Sequence, residues 1–152
     1  MRIAATVLAV LLLSAGGVQA QTGPQTGSDA FMAQHATAEG VQVLPSGVQY
    51  KVLNPGPGTS RHPTPADYVK VDYEGALVSG QVFDGTAKSG PKTYQLKTLI
   101  PAWIEAMQQM REGDEWVIWV PPSLGYGSRQ VGPIPPNSVL VFRLKLVSIL
   151  GG

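Results

Sequence analysis

Two histidines, one pair of carboxylates and a scatter of aromatic residues are the side chains here that could do chemistry. His35 and His62 stand far apart, one in a segment of helical pattern and one in a loop, with no ligand spacing around either, so a metal site is not expected. Asp84 and Glu105 could be imagined as the two carboxylates of a glycosidase. Nothing else supports that pairing, and Glu105 reads as a surface residue of a helix. There is no G-x-S-x-G and no glycine-rich loop followed by lysine, so the serine hydrolases and phosphate binders are without their usual parts. The chain has no cysteine, which excludes disulfides, thiol catalysis and a lipid-modified N-terminal cysteine. No cofactor is expected.

What remains is a set of apolar and aromatic residues at the ends of elements: Tyr73, Phe83 with Asp84, Leu99, Ile100, Trp103, Tyr126 and Ile134. Any one of them reads equally well as core. Two features favour a shared site. Trp103 falls in the first turn of the one helical segment in the body of the chain. Tyr126 lies in PPSLGYGSRQVGPIPPNS, residues 121–138, between two glycines and among five prolines. Proline fixes φ and glycine permits positive φ, so this is a shaped loop with few conformers. A rigid apolar pocket with a few polar handles is the usual form of a small-ligand or peptide site.

The elements that must hold these residues follow from periodicity. Val48, Tyr50 and Val52 alternate with Gln49 and Lys51; Val69, Val71 and Tyr73 alternate with Lys70, Asp72 and Glu74. Both stretches predict strands with a buried face. Shorter strands are expected at 81–84 and 94–96, and long ones at 115–120 and 139–150, the last with Leu140, Phe142, Leu144 and Leu146 inward. Ile100, Trp103, Ile104, Met107 and Met110 fit a helix with one apolar stripe, opened by Pro101 and ended by Gly113. These elements predict an α+β fold, an antiparallel half-barrel of about five strands wrapped on one short amphipathic helix. Near the N-terminus, Ser28 is placed to cap a helix from Asp29 to about Glu39, with Gly40 at its end.

Residues 1–20 read as a secretory signal. Arg2 supplies the positive charge, residues 3–13 are apolar but too short to span a bilayer, and Val18-Gln19-Ala20 suits cleavage after Ala20. A periplasmic or secreted protein is expected. The organisation is then signal 1–20, linker and short helix 21–45, and domain 46–152. The formal charge of +1 falls to zero without Arg2, and no basic run exists. That argues against nucleic acid and anionic membrane surfaces as partners.

Three stretches carry a resemblance: VKVDYEGALVSGQVFDGT at 69–86, LIPAWIEAMQQMREGDEWVIWVPPSLGYG at 99–127 and GPIPPNSVLVFRLKLVSI at 132–149. They resemble the FKBP-type peptidyl-prolyl cis–trans isomerases, especially exported bacterial ones, and GVQVLPSGVQYKVLNPGPG at 40–58 resembles the segment before the catalytic domain of that group. The resemblance implies catalysis of X–Pro rotation during the folding of exported proteins. It implies proline-containing peptides and unfolded exported proteins as partners, and macrolides such as rapamycin as inhibitors. It places Tyr126, Asp84, Phe83 and Trp103 at the catalytic centre, with Tyr73, Leu99, Ile100, Ile134 and Phe142 binding substrate. Ala102 stands where the family has glycine, and Lys92 where it has an aromatic or small residue. The loop after Asp84 is shorter, and the arginine that partners the aspartate is missing, with Lys88 as its substitute. No histidine follows Tyr126. The same groove would also serve a non-catalytic peptide-binding chaperone. A structural subunit would need an apolar patch or long helix that the sequence does not show. Many exported relatives dimerise through long N-terminal helices. The helix here is short and thinly apolar, so it is expected to dock on its own domain or fray, and the protein to be a monomer.

Overall fold

The computed structural model describes residues 26–152. The signal, its cleavage point and the start of the linker lie outside the described residues. Among the described residues two α-helices, α1 (Thr26–His35) and α2 (Pro101–Met107), accompany seven strands: β1 (Gln42–Val43), β2 (Gln49–Asn54), β3 (Tyr68–Leu77), β4 (Val82–Gly85), β5 (Lys92–Gln95), β6 (Glu115–Val120) and β7 (Leu140–Gly151). They form one antiparallel sheet in the order β1-β2-β6-β7-β3-β4. β5 pairs with the first half of β3 while β4 pairs with the second half, so the two short strands share one edge. The strands outnumber the five or so expected: the six stretches read from alternation are all present, and β1, only two residues long, offers no alternation to read.

The β7 pattern holds as expected. Leu140, Phe142, Leu144 and Leu146 are all buried, and burying each such side chain contributes roughly 1.5–3 kcal/mol. Alternation on β3 buries Val69, Val71, Tyr73 and Gly75. Against this concave face α2 lays Ala102, Trp103, Ala106 and Met107. Pro101 occupies its first turn. The helix ends at Met107 and not at Gly113. Beyond it the backbone tightens: Gln109 N–H bonds to the Ala106 carbonyl and Met110 N–H to that of Met107. Met110 stays fully buried, so the apolar period outlives the helix. The Asp114 carboxylate accepts the N–H of Arg111 at 2.9 Å, and Gly113, at φ +90°, turns the chain into β6.

α1 packs on the other face of the sheet. Ser28 lies inside it and does not cap it; its hydroxyl donates to the Asn137 carbonyl across 109 residues. The helix ends at His35, short of Glu39, where the Thr37 hydroxyl closes back on the Gln34 carbonyl at 2.8 Å. The anchor is Gln49 on β2, polar yet buried. Its amide donates to the Met32 carbonyl at 2.6 Å, and its oxygen accepts from His35 Nδ1 at 2.8 Å. The His35 ring then lies 4.1 Å from Trp119 and 5.4 Å from Phe31. β2 accordingly departs from its expected faces. Gln49 is inside the α1 contact, whereas Val52 is exposed beside an irregularity in the β2–β6 register.

Candidate functional site

The inward alternation of β3 ends in Tyr73 and Gly75, beneath an opening between the sheet, α2 and the loops. A cavity of about 210 Å³ lies there, lined by Tyr73, Phe83, Asp84, Tyr94, Leu99, Ile100, Trp103, Tyr126 and Phe142. This is below the ~300–1,000 Å³ of sites for drug-sized ligands and is room for one ring-sized group. Trp103 is 5% exposed. Its ring meets Tyr73 edge-on at 5.0 Å and Phe142 at 5.2 Å, and Phe142 meets Phe83 edge-on at 5.7 Å. These perpendicular pairs suit the quadrupoles of the rings and fix the walls.

Polar groups are few. The Tyr73 hydroxyl donates to Asp84 Oδ2 at 2.7 Å, and the Gly85 N–H donates to Asp84 Oδ1 at 2.8 Å. The aspartate is thus held by a phenol and a backbone amide. No ion pair joins it to Lys88 among the described residues, which corrects the expectation that Lys88 substitutes for the missing arginine. Lys88 and Lys92 instead line a wider groove of about 590 Å³ that shares Tyr73, Phe83 and Asp84 with the cavity. Burial, and the hydrogen bond that its hydroxyl donates to Asp84, push the Tyr73 phenol far above its ordinary value. Burial, then the charge of Asp84 and the neighbouring Tyr94, raise Tyr126. Both remain protonated donors at neutral pH.

Tyr126 is placed by its loop. A single 3-10 turn, Pro122–Leu124, leads to Gly125, where a side chain would meet Leu140 at 3.0 Å. Gly127, at φ +63°, returns its N–H to the Pro122 carbonyl at 2.8 Å, and its own carbonyl accepts from Asn137 N–H at 2.8 Å. The Tyr126 hydroxyl makes no hydrogen bond among the described residues.

A family model described as FKBP-type peptidyl-prolyl cis-trans isomerase matches residues 59–147. The chain belongs to that family. A second model, the domain amino terminal to FKBP-type peptidyl-prolyl isomerases, matches residues 16–52. The Outer membrane protein MIP of Legionella longbeachae is 46% identical over 123 residues, 80% of this chain and 52% of the relative. The peptidyl-prolyl cis-trans isomerase Mip of Coxiella burnetii is 45% identical over 124 residues, 80% of this chain and 53% of its own. The chain spans about half the length of these curated relatives. Among solved structures, a peptidyl-prolyl cis-trans isomerase from Pseudomonas syringae pv. tomato superposes with a TM-score of 0.77 at 30% identity, over 86% of this chain and 98% of that one. FkpA from Escherichia coli gives 0.78 at 28% identity, over 98% and 72%.

For an FKBP-type chain the expected pocket is largely assembled. Of the nine residues named from sequence, Ile134 alone does not line the cavity. It is buried in the adjoining core, in a turn where Ile134 and Val131 exchange backbone hydrogen bonds. Tyr94 lines the cavity and was missed. Its signal was an aromatic within a short alternating stretch, two residues after Lys92. Asp84 and Glu105 are not brought together: Glu105 accepts the Ser46 hydroxyl and stands outside the cavity. Neither histidine approaches the site. His62 Nδ1 lies 2.9 Å from the Met110 carbonyl, and His35 belongs to the α1 contact.

Proposed function

We propose that this protein is a peptidyl-prolyl cis–trans isomerase that accelerates X–Pro rotation in exported proteins. The observation that carries the proposal is a ring-sized apolar cavity floored by Trp103, with an uncommitted phenol, Tyr126, beside it. Resonance holds the amide planar behind a barrier of ~18–20 kcal/mol. The reaction makes and breaks no bond, so it needs no nucleophile. Its transition state is a twisted amide with less charge separation than the planar form. A dry apolar site disfavours the planar dipolar amide relative to the twisted one, and each ~1.4 kcal/mol of that difference is a tenfold rate. In this reading the proline ring lies on Trp103 between Tyr73, Phe83, Ile100 and Phe142, and Tyr126 donates to a substrate carbonyl. Asp84, fixed by Tyr73, orients the turning carbonyl. A protease-coupled assay on an Ala-Pro or Leu-Pro peptide, with and without rapamycin, tests this. Peptide binding without rate acceleration would make the protein a peptide-binding chaperone module instead.

Tyr126→Phe removes one oxygen and keeps the ring. The expected loss in kcat/KM is that of one hydrogen bond, ~0.5–1.5 kcal/mol, or roughly two- to tenfold. Wild-type kinetics would leave the tyrosine a role of shape alone.

Export rests on the signal-like residues 1–20 and on the naming of a relative as an outer membrane protein. The domain is taken as 46–152. α1 is engaged with its own sheet: Met32 is buried, its carbonyl accepts from Gln49, and His35 lies against Gln49 and Trp119, and this supports a monomer. Residues 21–152 should scatter light as a monomer at micromolar concentration. Deleting 21–40 should leave activity on short peptides nearly intact while lowering the melting temperature, because it uncovers Gln49 and Trp119. A dimer lost on that deletion would overturn the claim.

A further inference from the structure

Tyr94 stands on β5, a strand of four residues at the edge of the sheet, and its ring lines the cavity. Its hydroxyl is 3.5 Å from that of Tyr73. Tyr73 has a single hydroxyl hydrogen, and this is directed to Asp84 at 2.7 Å. Toward Tyr94 the Tyr73 oxygen can therefore only accept. A separation of 3.5 Å is beyond the usual range for O–H···O bonds, so Tyr73 holds the Tyr94 hydrogen weakly. No other hydrogen bond engages the Tyr94 hydroxyl among the described residues. Tyr94 is also close enough to Tyr126 to contribute to the raised pKa of that phenol.

We propose that Tyr94 donates its phenol hydrogen to a backbone carbonyl of the bound X–Pro peptide, as a second donor beside Tyr126. The inference rests on the isomerase reading and extends it. The two donors come from different elements, an edge strand and a rigid loop. Together they hold an extended peptide at two points, where the ring-sized cavity alone would hold only the proline. Tyr94 is half-buried, and a peptide that fills the cavity would shut its hydroxyl off from water with only a distant partner; a donor so left is costly, so substrates that bring a carbonyl to Tyr94 are preferred over a free proline ring.

The test is Tyr94→Phe, alone and combined with Tyr73→Phe or Tyr126→Phe, on an Ala-Pro peptide. Tyr94→Phe should lower kcat/KM about three- to tenfold with an unchanged melting temperature. The same factor should persist in the Tyr73→Phe background and multiply with that of Tyr126→Phe. Wild-type kinetics in Tyr94→Phe overturns the proposal. So does an effect that vanishes once Tyr73 is phenylalanine, since Tyr94 would then only brace its neighbour. If the wild-type protein accelerates no X–Pro rotation, the isomerase reading falls, and Tyr94 is judged by the affinity of the same peptide in an NMR titration. Weaker binding by Tyr94→Phe supports donation. Equal affinity, or no binding by the wild-type protein, overturns it.

Discussion

Trp103→Ala is expected to abolish measurable isomerase activity and rapamycin binding together, and to lower stability by ~3–5 kcal/mol. The indole is the floor on which both ligands would rest, and it touches two of the aromatic walls edge-on. Against the ~5–15 kcal/mol that stabilises a domain, such a loss can leave a fold that is only partly populated. Trp103→Phe separates the two effects. The Trp103 indole N–H is buried and has no partner among the described residues. Truncation therefore breaks no hydrogen bond, and its cost is packing alone. Phenylalanine removes an unpaired donor whose burial costs ~1–3 kcal/mol, which offsets part of the volume lost. The Trp103→Phe protein should stay folded by urea titration yet bind rapamycin more weakly. Unchanged affinity in this folded variant would sink the assignment of Trp103 as the floor.

The parts of the site that sequence made legible are those whose signal is local. The alternation of β7 turns Phe142 inward, though only the family resemblance puts it in the site; the Pro101 start of α2 announces Trp103, and the two glycines flanking Tyr126 announce a held tyrosine. What was illegible depends on contacts distant in sequence. Gln49 is buried only because α1 lies over it, and alternation cannot show that. The end of α2 is set by the Asp114 side chain and the tightened bonds after Met107, while the apolar period continues to Met110. Ile134 looks like a cavity residue beside Pro133 and Pro135, but its turn carries it into the core. Tyr94 went unnoticed because a strand of four residues gives alternation little length in which to appear. Its role depends on where Tyr73 directs a single hydrogen.

Gly75→Ala is expected to cut kcat/KM by about tenfold or more and to cost ~1–3 kcal/mol of stability, although it adds only one methyl. Gly75 lies on the inward face of β3, in register with Phe142 on one side and Asp84 on the other. A Cβ there would come within 2.7 Å of Phe142 Cε1 and 2.8 Å of Phe83 Cε1 and Cζ. Those two rings are the walls of the cavity and meet each other edge-on. The glycine is required for closeness of approach, since its φ is not positive. Alanine must displace at least one ring. Phe142 is buried against Trp103 and has little freedom, so Phe83, which is only half-buried, should move. A misplacement of about 1 Å can cost up to ~10²-fold in rate where geometry matters, and Phe83 is joined in sequence to Asp84, which would be disturbed with it. Near-ultraviolet circular dichroism should register the altered ring packing. Phe83→Leu in the Gly75→Ala background opens room for the methyl and should recover melting temperature without recovering full activity. Wild-type kinetics and melting temperature in Gly75→Ala would show that the walls yield freely and that the close packing of Phe83 and Phe142 does not shape the site.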